Sequence, residues 1–274
     1  MPARRAHALA GAAAAIALAL GGCSLLGSSA EDSGGSSTPG ALAAAAGAAG
    51  DAAEAQTTGS PTASPADPPA GAAAPTGATP AELAQIDDPD ALLVVVNKRR
   101  PLKPRSYRPD VVSVGYGRTL RPDAADALVA LMHAAGKDGV PMYPSSGYRS
   151  YAEQVTTYAG WAAKMGRAKA DVLSARAGYS EHQTGLAADM RPSTGTCRAY
   201  STCFGDTPQA AWLKKHAVEF GFVIRYEAGQ TAVTGYDPEP WHLRYVGKTF
   251  AARYAASGAH SLEEYFGLPA APTY

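Results

Sequence analysis

Residues 180–189 (SEHQTGLAAD) and 239–242 (EPWH) supply, among others, His182, Asp189, Glu239 and His242, in stretches shaped by glycine and proline. A hydrolytic zinc centre needs three protein ligands, an open position for water, and a carboxylate close enough to take that water's proton. His182, Asp189 and His242 can be the ligands, which leaves Glu239 as the base. Asp237 is a rival base, because in an extended chain it lies on the same side as Glu239. Taken singly, each of these residues has an ordinary reading as a hydrogen-bonded histidine or a capping aspartate. His7, His133, His216 and His260 are read in that ordinary way.

The EPWH segment is not half of a helical H-E-x-x-H motif. Position 238 is proline, and Pro240 between base and ligand rules against a helix interior. Residues three apart point to opposite faces of a flat strand, so a bend near Pro240 is expected to bring Glu239 and His242 together.

The elements that must position these groups follow from periodicity. The dense β-branched and apolar run 91–96 reads as a strand, followed by an irregular, proline-punctuated stretch 97–110. A helix begins at Pro122, with Leu128, Leu131, Met132 and Ala135 on one face and Gly136 and Gly139 at its end. Residues 141–146 read as a short strand, and Ser150 opens a helix that runs past Trp161. Over 184–190 the pattern alternates: Leu186, Ala188 and Met190 face one way, and Asp189 faces the other beside the small Gly185 and Ala187. A helix over 208–220, a strand over 222–226, a turn over 227–235, a strand over 241–246 and short closing helices complete the reading. Strands and helices intermix without a regular βαβ repeat, so the class is α+β: one small domain.

The rest of the 274-residue chain is organised differently. Arg4 and Arg5, an apolar run over 8–20 and the closing Leu20-Gly21-Gly22-Cys23 have the order of a lipoprotein signal, too short for a membrane span. The expectation is a signal over 1–22, lipidation at Cys23, and an exported protein anchored at the outer face of the cytoplasmic membrane; a plain secreted protein is the alternative. Residues 23–88 are almost entirely Ala, Gly, Ser, Thr and Pro with scattered acids and no aromatic residue, which predicts a flexible tether reaching roughly 40 to 50 Å. The folded domain is then 89–274. Residues 24–88 carry eight acids and no Lys or Arg, whereas 89–274 carry 22 basic and 16 acidic residues, so a net charge of zero hides a mildly basic domain. That charge suits encounter with anionic wall polymers or serves only solvation. No nucleic-acid partner is expected, and the chain is expected to be a monomer. Cys197 and Cys203, an even pair in an oxidising compartment, are expected to form a disulfide.

The motif set adds a family. SGYRS with Gln154 after it, SEHQTGLAAD, and GYDPEPWHLRYVG over 235–247 resemble the motifs of VanY-type zinc D-alanyl-D-alanine carboxypeptidases, and 93–110 resembles their N-terminal segment. The likeness spans roughly 180 residues in the expected order and implies a Hedgehog/DD-peptidase-like fold with a central antiparallel sheet and flanking helices. It implies zinc on His182, Asp189 and His242, and Glu239 rather than Asp237 as base. It also implies Arg149 at the oxyanion, and Ser180 and Gln154 along the substrate peptide. The implied substrate is the peptidoglycan stem peptide, cut at its terminal D-alanine. The alternatives are L,D-carboxypeptidase or endopeptidase cleavage and, in a different class, a non-catalytic receptor for wall peptides. The segment bearing Cys197 and Cys203 departs from the family pattern and is expected to shape one wall of the cleft.

Overall fold

The computed structural model describes residues 77–195, 197 and 201–274. The expected signal, Cys23 and the tether as far as residue 76 lie outside the described residues. Thr79 caps helix α1 (Pro80–Leu83), and Glu82 answers it from the third helical position. Ile86 is buried with Leu93, Val95 and Phe250. The folded part therefore starts before residue 89, and the expected tether ran too far: a proline-led cap and one apolar side chain suffice to dock this segment.

Leu93, Val94, Val95 and Val96 are buried, but no residue of 91–96 joins a ladder, contrary to the expected strand. The carbonyls of Leu92 and Val94 accept hydrogen bonds from Arg244 Nη2, each at 2.8 Å, and Val95 N–H donates to Ile86 O. A guanidinium does here what a neighbouring strand would do, satisfying buried backbone acceptors.

Strands β1 (Val112–Gly115) and β2 (Arg118–Leu120) form an antiparallel hairpin that the sequence pattern did not reveal. Helix α2 (Pro122–Lys137) buries Leu128, Leu131 and Ala135 as predicted. Strand β3 (Met142–Ser146) leads to α3 (Tyr151–Met165), whose N-cap Ser150 and Glu153 form a second capping box, and then α4 (Arg167–Leu173). A 3₁₀ turn over Glu181–Thr184 precedes β4 (Ala187–Pro192). The expected helix 208–220 is α5 (Pro208–His216) continued by a 3₁₀ turn. Then come β5 (Phe222–Tyr226), the short α6 (Thr231–Thr234) inside the expected turn, β6 (Glu239–Tyr245), α7 (Lys248–Ser257) and α8 (Leu262–Tyr265).

The main sheet is antiparallel throughout, in the order β3-β4-β6-β5. Ala188 and Met190 of β4, with Leu186 just before it, join Leu128 and Leu131 of α2 in the larger core cluster. Alternation sends Asp189 to the opposite face, where it is also buried, beneath the walls of a cleft. The fold is the α+β single domain with flanking helices that the sequence implied.

Candidate metal centre

The sheet register builds the site. Asp189 of β4 pairs directly with His242 of β6 and, on its other side, with Ser146 of β3. Ile224 and Tyr226 of β5 pair with Leu243 and Glu239, so β6 carries extra length opposite Arg225. Such a bulge bends the strand, and Pro240 within it has no N–H to contribute. The expected bend is thus a bulge, and it brings Glu239 Oε2 to 3.4 Å from His242 Nδ1.

His182 arrives from the 3₁₀ turn. Gly185 ends that turn at φ 70°, where a Cβ would come within 3.1 to 3.2 Å of Arg121 and Pro109, so a side chain there is both strained and crowded. Gly147 serves a similar purpose after β3: a Cβ would sit 2.6 Å from Thr119 O, and the close approach sets its own carbonyl toward His182. That carbonyl lies 2.8 Å from His182 Nδ1, which places the proton on Nδ1 and frees Nε2.

His182, Asp189 and His242 offer donor atoms that all lie within 4.8 Å of one another. His182 Nε2 is 3.1 Å from Asp189 Oδ2, and His242 Nδ1 is 3.1 Å from Asp189 Oδ1. Asp189 Oδ1 is buried and forms no aligned hydrogen bond, whereas Oδ2 accepts one from Ser146 Oγ. Two imidazoles and a buried carboxylate with an unsatisfied oxygen suit a tetrahedral cation of the zinc type with one position open.

The electrostatics show how strongly this cluster needs positive charge. Burial opposes ionisation of Asp189, but His182 and His242 outweigh it and hold its carboxyl well below the usual range. Burial lowers the pKa of His182. Burial also opposes the charge on His242, yet its contacts with Asp189 and Glu181 prevail and push it up to about 10. Burial, with Asp189 nearby, raises Glu239 to about 8 despite the opposing pull of His242 and Arg149.

The cleft above the cluster has a volume of about 630 Å³, and its walls include Arg149, Ser180, Tyr226, Tyr236, Glu239 and Trp241. Arg149 is fixed by its N–H to His182 O and by Nη1 to Gln154 Oε1 at 2.8 Å. Gln154 itself is fully buried and does not line the cleft, which corrects the expectation that it touches the substrate peptide. Its amide donates to Ala175 O at 2.6 Å, so its place is behind Arg149. Asp237 is exposed and does not line the cleft, whereas Glu239 does. Cys197 and Cys203 are joined as a disulfide. They do not line the cleft as expected; instead Gly205 lies against Pro240, where an added methyl group would sit 3.5 Å from the ring.

Four charged residues behind the site were not singled out in the sequence. Glu181 accepts from Arg225 Nε at 2.9 Å and Arg244 Nη1 at 2.8 Å, and Arg225 also grips Glu263 with two bonds of 2.9 and 2.8 Å. The signal was available in part: Arg225 and Arg244 interrupt the apolar runs of β5 and β6, and a charge at such a position needs a buried partner.

The model of the VanY family, D-alanyl-D-alanine carboxypeptidase, matches residues 117–248. The Bacillus subtilis (strain 168) protein YodJ is 38% identical over 194 residues, covering 67% of this chain and 70% of that one. The chain belongs to the VanY family. Among solved structures, the LdcB LD-carboxypeptidase superposes with a TM-score of 0.59 at 38% identity, over 65% of this chain and 87% of that chain. The vancomycin-resistance D,D-pentapeptidase VanY, solved in complex with Zn(II), superposes with a TM-score of 0.56 at 30% identity, over 64% of this chain and 98% of that chain. The region matched by the family model contains the whole cluster, from Arg149 to His242.

Proposed function

We propose that this VanY-family domain is a zinc-dependent carboxypeptidase that removes the terminal D-alanine from peptidoglycan stem peptides. The observation that carries this reading is the buried His182, Asp189 and His242 cluster with Glu239 at its rim and Arg149 across the same cleft. His182, Asp189 and His242 would hold zinc, which when bound would supply the Lewis acid that polarises the scissile carbonyl and makes water acidic. Glu239 accepts a proton from water as the water oxygen bonds to the carbonyl carbon. Arg149 faces the oxygen on which negative charge develops, held in place by Gln154. When the C–N bond breaks, Glu239 returns its proton to the departing amine. Ser180, buried on the cleft wall, contacts the terminal peptide.

A second reading keeps the chemistry and moves the bond. The chain shares 38% identity with the LdcB LD-carboxypeptidase and 30% with the VanY D,D-pentapeptidase, which favours an L,D bond as the competing substrate. Mass spectrometry of synthetic stem peptides separates the two. Chelator-sensitive loss of one alanine from the pentapeptide supports the D,D reading, whereas loss from the tetrapeptide alone transfers the assignment to the L,D class. Peptide binding without turnover in the zinc-loaded protein would replace both with the receptor reading.

The same proposal places the protein outside the cytoplasmic membrane, anchored by lipid on Cys23. The support is the charged, apolar and Leu-Gly-Gly-Cys order at 4–23. Metabolic labelling with a clickable fatty acid tests it: label lost in Cys23→Ser supports the anchor, and label retained refutes it.

A further inference from the structure

We infer that Glu181, braced by Arg225 and Arg244, is a positioning residue that decides which nitrogen of His242 is free to bind zinc. This rests on the reading of His242 as a zinc ligand.

Glu181 is 1% exposed and sits between the metal cluster and a buried frame of charge. Its two carboxylate oxygens have different neighbours. Oε1 takes the bonds from Arg225 and Arg244. Oε2 has no aligned hydrogen bond, and it faces His242 Nε2 at 3.4 Å. That nitrogen likewise has no aligned partner. The opposite nitrogen, Nδ1, faces Asp189 and Glu239. An imidazole that ligates a metal through one nitrogen carries its proton on the other, and the acceptor beside that proton fixes both the tautomer and the plane of the ring. Glu181 is the acceptor on the Nε2 side, which leaves the Nδ1 lone pair aimed at the ligand cluster.

A carboxylate can orient a ligand only if it is itself immobile. Arg225 holds Glu263 of α8 through both ends of its guanidinium, and Asn97 donates to Glu263 Oε1 at 2.9 Å. Arg244 is tied to the Leu92 and Val94 carbonyls. Two arginines and two glutamates form a frame of zero formal charge, so Glu181 stays ionised without a net charge in the interior. A pair serving stability alone has no need to leave Oε2 open toward a ligand histidine. Tyr226, packed 4.9 Å from the His242 ring, limits the ring from another side.

The test uses the full zinc-loaded chain with ¹⁵N-labelled histidine and a chromophoric chelator as competitor. His242 is expected to show coordination through Nδ1 and a slowly exchanging Nε2–H proton shifted downfield by the carboxylate. Glu181→Gln is expected to displace that resonance and weaken zinc binding by about 10- to 100-fold. Unchanged affinity with an unmoved resonance in Glu181→Gln overturns the inference. Coordination through Nε2 in the unmodified protein also overturns it, and that result needs no variant to fold. His242→Ala separates the underlying reading. Zinc binding lost there but intact in Glu181→Gln removes only the positioning role, whereas binding intact in both removes the ligand assignment as well.

Discussion

Zinc loading should expel protons from this site, and their number follows from the geometry. Without a cation, the pKa values of about 10 for His242 and about 8 for Glu239 leave both groups protonated at pH 7. His242 cannot offer Nδ1 to a metal until that proton leaves, and a dication beside Glu239 favours its carboxylate, so a second proton leaves in part. The expected release at pH 7 is between about one and two protons per zinc. The His242 shift alone places pH 7 roughly three units below its titration, a penalty of about 4 kcal/mol, or about a thousandfold in affinity relative to high pH. Protons compete with metal below the raised pKa values, so affinity rises with pH. The slope should be steepest below pH 8, shallower between 8 and 10, and flat above 10. Isothermal titration calorimetry in buffers of different ionisation enthalpy counts the protons directly. Glu239→Gln should still bind zinc while its count falls toward one. A count of zero at pH 7, with a pH-independent affinity, would refute the reasoning.

Three further outcomes follow from particular contacts. Arg149→Met should lower kcat by about a hundred- to a thousandfold, with zinc content by atomic absorption unchanged, because under the proposed mechanism it removes a donor from the developing oxyanion and not a ligand. Glu263→Ala strips Arg225 of its two-bond partner in the interior and should cost about 3 to 5 kcal/mol in chemical denaturation under chelator; a cost below about 1 kcal/mol would show that the frame is not needed for folding. Replacing both Cys197 and Cys203 with serine reopens a short loop and should cost about 2 kcal/mol by loop entropy. Since neither cysteine lines the cleft, peptide turnover should persist in that double variant, as a mass-spectrometric assay would show.

Much of the site was legible before any coordinates. His182, Asp189 and His242 declare themselves by residue type and by the glycines and prolines around them, because a metal site needs unusual backbone and clear space. The helices α2 and α3 were equally plain, since caps such as Ser150 with Glu153 and apolar periodicity act within one or two turns. These are local signals, and local chemistry fixes them.

What the tertiary structure decided lies between distant segments. Spacing left Glu239 and Asp237 as rivals and only the motif resemblance favoured Glu239; the physical reason that it faces the cluster is that β6 bulges against β5, a register that neither strand encodes alone. Residues 91–96 read as a strand by composition, yet Arg244, 150 positions from Val94, satisfies their carbonyls and makes a ladder unnecessary. Gln154 stands behind Arg149 and not against substrate because Ala175 claims its amide. Glu181 meets Arg225 and Arg244 across 44 and 63 residues. Desolvation makes a buried charge depend on whichever partner folding brings beside it, and spacing along the chain carries no record of that partner.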